Sequence, residues 1–134
     1  MEILIENLLY CNIHGYSMTY RVDFETALIL YGPTAKNGKS TFIELVNTMI
    51  GKENVSHITM SQLCERFYGS ELTDKLLNTE TEVERSIKSI EVFKKVITGD
   101  TFSVEEKYNP RYTLSPFCKF IFRNQSATRI SPNC

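Results

Sequence analysis

No apolar run in the 134-residue chain approaches the roughly 20 residues that cross a bilayer, which excludes a membrane-spanning helix. The start, Met1-Glu2-Ile3, lacks the basic n-region and long apolar stretch of a secretion signal, so a cytoplasmic protein is expected. Cys11, Cys64, Cys118 and Cys134 are dispersed without a C-x-x-C pair, and His14 and His57 are equally isolated. That spacing excludes a zinc site, and a reducing compartment would keep the cysteines as thiols. Neither charge sign is in excess, with 15 basic and 16 acidic groups. Internal repeats, low-complexity tracts and linkers are also missing. Residues 1–134 are long enough for one domain and too short for two, and a hydrophobic share of 42% builds a core without staples.

What is present alternates between strands and helices. Residues 2–10 suit a short helix with Ile3, Leu4, Leu8 and Leu9 inward, and His14-Gly15-Tyr16 reads as a turn. Ala27–Tyr31 is an unbroken apolar run before Gly32-Pro33, the pattern of a strand buried on both faces. Thr41–Ile50 has the length and spacing of a helix, with Phe42, Leu45, Val46 and Met49 inward and Gly51 as its stop. Ser61–Phe67 reads as a helix capped by Ser61, and Lys75–Thr79 as a short strand running into Glu80, Glu82 and Glu84. Ile87, Ile90, Phe93 and Ile97 mark an amphipathic helix over Ser86–Thr98, ending at Gly99. Thr101–Leu114 alternates about Asn109-Pro110 as a β-hairpin, and Lys119–Phe122 is a further buried strand. This order predicts an α/β layered fold.

The segment Gly32-Pro33-Thr34-Ala35-Lys36-Asn37-Gly38-Lys39-Ser40-Thr41 joins the first strand to the helix after it. A phosphate-binding loop needs glycine for close backbone approach, a lysine for the β- and γ-phosphates and a hydroxyl for Mg²⁺. Gly38, Lys39 and Ser40 supply these in order, and backbone N–H groups at a helix N-terminus complete an anion cradle. Gly38 follows Gly32 by six positions, one more than the usual pattern. Charge also has a gradient: residues 101–134 hold five basic and two acidic groups among Tyr108, Tyr112, Phe117, Phe120 and Phe122. Such interleaving suits single-stranded nucleic acid, or equally a solvated hairpin over core aromatics.

GPTAKNGKSTF, KLLNTETEVE, FKKVITGDTFSVEEKY and KFIF together resemble superfamily 3 helicases, closest to the primase–helicases of phages, plasmids and poxviruses. A longer loop ending in NGKST is familiar in that family. The resemblance covers roughly residues 25–123, with 1–24 as a lead-in helical segment and 124–134 as a truncated tail. It implies an AAA+-like P-loop NTPase with a three-layer core and a β-hairpin insertion, incomplete at the C-terminus, and an ATP and Mg²⁺ cofactor pair. Gly32, Thr34, Ala35, Lys36, Asn37, Gly38, Lys39, Ser40 and Thr41 would bind nucleotide, with Ser40 and Glu82 at the metal and Glu80 as the substitute carboxylate. Lys39 and Glu82 would be catalytic, Glu82 orienting the attacking water. Asn124 would be the polar sensor, although Gln125 holds the aligned place and the following proline is absent. Lys107, Tyr108 and Arg111 would meet DNA.

The resemblance therefore implies the ATPase core of a viral, phage or plasmid replication helicase, working in the host cytoplasm. Its partners would be single-stranded or forked DNA and a hexamer-like ring of copies, with no membrane. DNA binding of this kind should weaken with salt. The arginine pair that completes a neighbour's site has no counterpart here, Arg129 being the only arginine near the end, so little turnover is expected from the chain alone. An alternative is a non-catalytic module that binds nucleotide or intact helicase subunits. A small-molecule kinase would use the same loop but is disfavoured by the GD…EEKY segment.

Overall fold

The structure, a computed structural model, describes residues 15–32, 38–80 and 90–124. Its elements follow in the order β1 (Ala27–Tyr31), α1 (Lys39–Ile50), β2 (Val55–Ser56), α2 (Met60–Leu63), β3 (Leu77–Glu80), α3 (Ile90–Thr98), β4 (Phe102–Val104), β5 (Tyr112–Leu114) and β6 (Lys119–Asn124). Single 3₁₀ turns occupy Lys52–Asn54 and Tyr68–Leu72. One sheet has the order β1-β6-β3-β2 with every pairing parallel, and β4 and β5 form a separate antiparallel pair. β6 thus lies between β1 and β3, with Ala27 opposite Phe120 and Tyr31 opposite Asn124 on one side. On its other side Leu77 faces Lys119 and Glu80 faces Phe122.

The alternation of strand side chains divides the core in two. Ile121 points to the face covered by α1, where Phe42, Ile43, Val46 and Ile50 pack with Leu30, Val55 and Leu77. Phe120 and Phe122 point to the other face, where Ile58, Met60, Leu63, Leu72 and Val96 close over them with Phe102 and Leu114 at the margin. Helices therefore cover both sides of a parallel sheet, the three-layer arrangement expected of alternating strands and helices. The hairpin sits close to the Tyr68–Leu72 turn because Gly69 has no side chain: a Cβ there would come within 2.8 Å of Val104 Cγ1.

A buried lysine ties the segment before β1 to the sheet. Lys119, only 6% exposed, donates from Nζ to the Thr19 carbonyl and lies 5.0 Å from the centre of the Tyr16 ring. Desolvation holds its ammonium below the usual lysine value.

Several expectations need correction. β1 is an edge strand among the described residues, so Ile29 and Tyr31 remain 40% and 46% exposed instead of buried on both faces. α1 starts at Lys39, and its inward stripe is Phe42, Ile43, Val46 and Ile50, leaving Leu45 and Met49 half-exposed. Both stripes satisfy helical spacing, and the position of the sheet selects between them. The second helix stops at Leu63, well short of Phe67, whose φ of 82° is incompatible with a helix. Its cap is Thr59, which forms a capping box with Gln62, not Ser61. β3 is shifted to Leu77–Glu80, and the two-residue β2 has too little pattern to be foreseen. Residues 15–17 are helical where a turn was expected at His14-Gly15-Tyr16. The expected helix over 2–10 and the stretch 86–89 lie outside the described residues.

Candidate functional site

In an open parallel sheet, ligands bind beyond the carboxyl ends of the strands, where helices begin. Here that edge is formed by Tyr31, Glu80 and Asn124, the last residues of β1, β3 and β6. α1 starts at the same edge, immediately after Gly38, whose φ of 82° places it in the left-handed region. Its first turn contains no acidic residue and no side-chain cap, and a helix start carries partial positive charge that favours an anion.

Lys39 is the first residue of α1. Only 3% exposed, it donates from Nζ to the Gly32 carbonyl at 2.7 Å, closing the loop between β1 and α1 across its base. Ser40 is exposed, and its hydroxyl accepts a hydrogen bond from Arg123 Nη1. Arg123 belongs to β6 and pairs in register with Leu30 of β1. An ammonium, a guanidinium, a hydroxyl and a helix N-terminus make a donor set that suits a polyphosphate.

Glu80 brings a carboxylate to the same sheet edge. It is 3% exposed, and Oε1 accepts from the Met60 backbone N–H at 3.4 Å. Beside it, Thr79 Oγ1 lies 2.9 Å from His57 Nδ1 and 3.4 Å from Asn47 Nδ2, so α1, β3 and the loop after β2 share one polar junction. His57 is thus held by a threonine and not by other metal-ligating groups. Among the described residues no cluster of three or more His, Cys, Asp or Glu side chains can hold a metal ion.

The sequence-predicted residues fall into four groups. Gly32, Gly38, Lys39, Ser40 and Thr41 lie at the β1–α1 junction, with Glu80 at the same edge two strands away. Asn124 ends β6 opposite Tyr31. Thr34, Ala35, Lys36, Asn37, Glu82, Glu84, Gln125 and Arg129 lie outside the described residues. Lys107, Tyr108 and Arg111 lie in the turn between β4 and β5. That hairpin is inserted between the end of α3 and the start of β6, so its root is at the opposite edge of the sheet from Lys39.

At the hairpin turn Lys107 is exposed and Tyr108 is fully exposed, with a φ of 68°. Tyr108 is therefore no part of the core. Arg111 is not free, because Glu105 binds it and also Arg66. Arg66 further lies 5.0 Å over the Phe67 ring. The hydrogen bond from Arg66, and after it Arg111, holds the Glu105 carboxyl below its usual range against the opposing effect of desolvation. Across residues 65–71 and 105–111 the acids Glu65, Glu71, Glu105 and Glu106 outnumber Arg66, Lys107 and Arg111. The basic character of the last quarter of the chain thus does not extend to the hairpin's surroundings. A cleft of about 290 Å³ separates this hairpin from the 63–69 stretch, with Cys64 on its wall.

Residues 30–129 match the model of a family of unknown function, DUF5906, and the chain belongs to that family. Its fold is similar to solved apo structures of the NrS-1 C-terminal region. One, covering NrS-1 residues 305–718, superposes with a TM-score of 0.68 at 24% identity over 91% of this chain and 30% of that one. An A-form apo structure of the same region gives 0.65 at 24% identity, covering 88% and 28% of the two chains. The chain therefore spans less than a third of the structures it resembles. No curated protein matches it. Among the described residues no helix is long and apolar enough to cross a membrane.

Proposed function

We propose that this chain is a nucleotide-binding P-loop ATPase core of the superfamily 3 helicase type, serving DNA replication in a phage, plasmid or virus. The observation that carries the reading is Lys39, a buried ammonium at the start of an uncapped helix, held on the carbonyl of Gly32 at the end of a parallel strand. A lysine costs free energy to bury, and this one is buried where a helix starts beside a strand end, the edge at which parallel sheets take their ligands. At this position it is set to meet an anion delivered to the helix N-terminus. Lys39 would bind the β- and γ-phosphates of ATP, the N–H groups of residues 38–41 would cradle them, and Ser40 would hold Mg²⁺. Bound Mg²⁺ would neutralise charge on the phosphates during attack by water. Glu82, or Glu80 from the end of β3, would orient that water, and Asn124 would sense the terminal phosphate. Lys107 and Tyr108 would meet single-stranded DNA by phosphate contact and base stacking, with rings of copies as the working assembly.

The test is calorimetric titration of the chain with Mg·ATP beside Lys39→Ala. Binding that disappears in the variant, with its thermal melt unchanged, supports the reading. Equal binding by both, or none by the wild type, refutes it. A second reading, a nucleotide-binding module without turnover, is favoured by the Glu105 ion pairs that occupy Arg66 and Arg111 beside the DNA-facing turn. It predicts nucleotide binding with no phosphate release in the presence of single-stranded DNA.

A further inference from the structure

β4 is paired on one side only. Its partner is β5, with Phe102 opposite Leu114 and Val104 opposite Tyr112. Among the described residues, no other backbone hydrogen bond reaches Phe102, Ser103 or Val104. In an antiparallel pair, residues that bond their partner alternate with residues whose N–H and C=O point away from it. Backbone donors and acceptors of β4 therefore face outward, either at Ser103 or at Phe102 and Val104.

The cleft of about 290 Å³ lies along that free edge. Phe102, Ser103, Val104 and Glu105 border it in succession, and no residue of β5 does. Successive side chains of a strand point to opposite faces. A cavity touched by four residues in a row thus runs beside the strand, on the side away from β5. An open strand edge is a template for another extended chain. The opposite wall is the 63–67 stretch, and a second copy's β4 would arrive with its own 63–67 wall in front of it. The occupant that fits is a lone extended segment.

Charge narrows the occupant further. Of the cations bordering the cleft, Arg66 is bound by Glu105 and Lys95 by Glu91. Glu65, on the same wall, is exposed and forms no ion pair with a described residue. That field disfavours a phosphate backbone in the cleft and favours a basic residue beside the bound strand. Phe102 and Val104 turn their side chains toward Gly69, so the residues of an added strand that neighbour them on that face need to be apolar.

We propose that the free edge of β4 is a docking site for an extended segment of a partner protein, which adds to β4 as a third strand. The segment carries apolar residues at alternate positions and a lysine or arginine facing Glu65. This inference does not depend on the nucleotide-binding reading.

The test screens the full chain against short synthetic peptides with apolar residues at alternate positions and lysine at each end, and measures the best binder by fluorescence anisotropy. A Kd of about 100 μM or tighter is expected. Replacing alternate backbone N–H groups of that peptide by ester oxygen removes donors without adding bulk. One of the two alternating series should bind about 10-fold more weakly and the other nearly as the parent. Cys64→Trp, which fills the cleft from an exposed position, should abolish binding, and Glu65→Lys should weaken it severalfold, both with unchanged thermal melts. Equal binding by the two ester series, or by wild type and Cys64→Trp, overturns the proposal, as does a library without a binder. Single-stranded DNA that binds wild type but not Cys64→Trp would assign the cleft to nucleic acid, and self-association lost in Cys64→Trp would assign it to a second copy. Either result overturns the proposal as well.

Discussion

Asn78 is the residue whose replacement tests the fold of the site most directly. It is 0% exposed, lies within β3, and its amide bonds to β2 and to the residue where the chain has just left it. Oδ1 accepts from Ser56 Oγ at 2.9 Å and from the Ile58 N–H at 2.9 Å, and Nδ2 donates to the Ile58 carbonyl at 3.0 Å. One side chain thus satisfies both backbone groups of Ile58, where the chain leaves the sheet after β2. Asn78→Ala leaves those two groups buried without partners, while Ser56 can turn to the Leu77 carbonyl 3.5 Å away. At about 1–3 kcal/mol for each orphaned group, the expected loss is roughly 2–6 kcal/mol. That is a large part of the ~5–15 kcal/mol that holds a domain together. Urea unfolding followed by circular dichroism should show a midpoint lower by about 1–3 M at the usual slope. Asn78→Asp keeps the two accepting bonds but sets an oxygen against the Ile58 carbonyl and buries a charge. Its deficit relative to wild type should shrink on acidification, when a protonated carboxyl can donate to that carbonyl. The reasoning fails if Asn78→Ala unfolds within about 0.5 kcal/mol of wild type, or if the Asn78→Asp deficit is the same at pH 4 and pH 8.

Burial pushes the Cys118 thiol up to about 12, against smaller opposing effects of Ser56, Lys119 and Lys75. A native protein should therefore alkylate at exposed Cys64 and spare Cys118 until it unfolds, a difference that peptide mapping after brief iodoacetamide treatment would read. An acid whose folded value is raised keeps its proton while the unfolded chain loses it. Stability is then intact below pH ~9 and falls by about 1.4 kcal/mol per pH unit above it, a slope that Cys118→Ala should remove. Glu105→Gln should release Arg66 and Arg111 and raise affinity for single-stranded DNA, with a steeper salt dependence; fluorescence anisotropy showing weaker binding would refute the charge argument. In the wild type the lowered Glu105 value means that its ion pairs are complete above pH ~4.5 and are lost only as pH falls through the depressed value. In hydrogen exchange, amides of Phe120, Ile121 and Phe122 should be the slowest, since β6 is paired on both sides and these residues are at most 2% exposed. The three-residue strands β4 and β5 should exchange orders of magnitude faster, and equal protection of the two would refute this.

The parts of the fold that sequence pattern revealed were those whose pattern has one physical solution. Ala27–Tyr31, bounded by Glu25-Thr26 and Gly32-Pro33, has no polar residue that another assignment could use, and it is β1 as expected. The hairpin followed from alternation about Asn109-Pro110. Its exposed turn residues were legible too, but Arg111's pairing with Glu105 was not, because six positions of separation say nothing about which side chains meet across a turn. α1 was legible as a helix and misread in its inward stripe, since Leu45 and Met49 fit the period as well as Ile43 and Ile50, and only the sheet decides. The strand ends cost more. Ending β6 at Phe122 and β3 at Thr79 left Arg123 without a role and Glu80, though named as a candidate carboxylate, outside its strand, whereas register carries both strands further and brings both residues to the edge where Lys39 lies. Asn78 had no signal, for a residue that favours turns is exceptional in the core of a strand.

β6 is the structural link between the two ends of the proposed machine. Arg123 at its carboxyl end reaches Ser40, and Lys119 at its start anchors the segment before β1. The hairpin meets this strand through Ser115-Pro116-Phe117, and the two sides of its root are joined, because Ser115 Oγ donates to the Gly99 carbonyl at 3.1 Å. Pro116 fixes its own φ. β6 cannot slide without breaking parallel pairings with both β1 and β3, and a shift of one residue would also exchange Ile121 with Phe120 and Phe122 between two differently shaped cores. Displacement at Arg123 therefore cannot reach Lys107 and Tyr108 by movement along the strand. Under the proposed reading, the hairpin keeps its bearing on the sheet while nucleotide comes and goes.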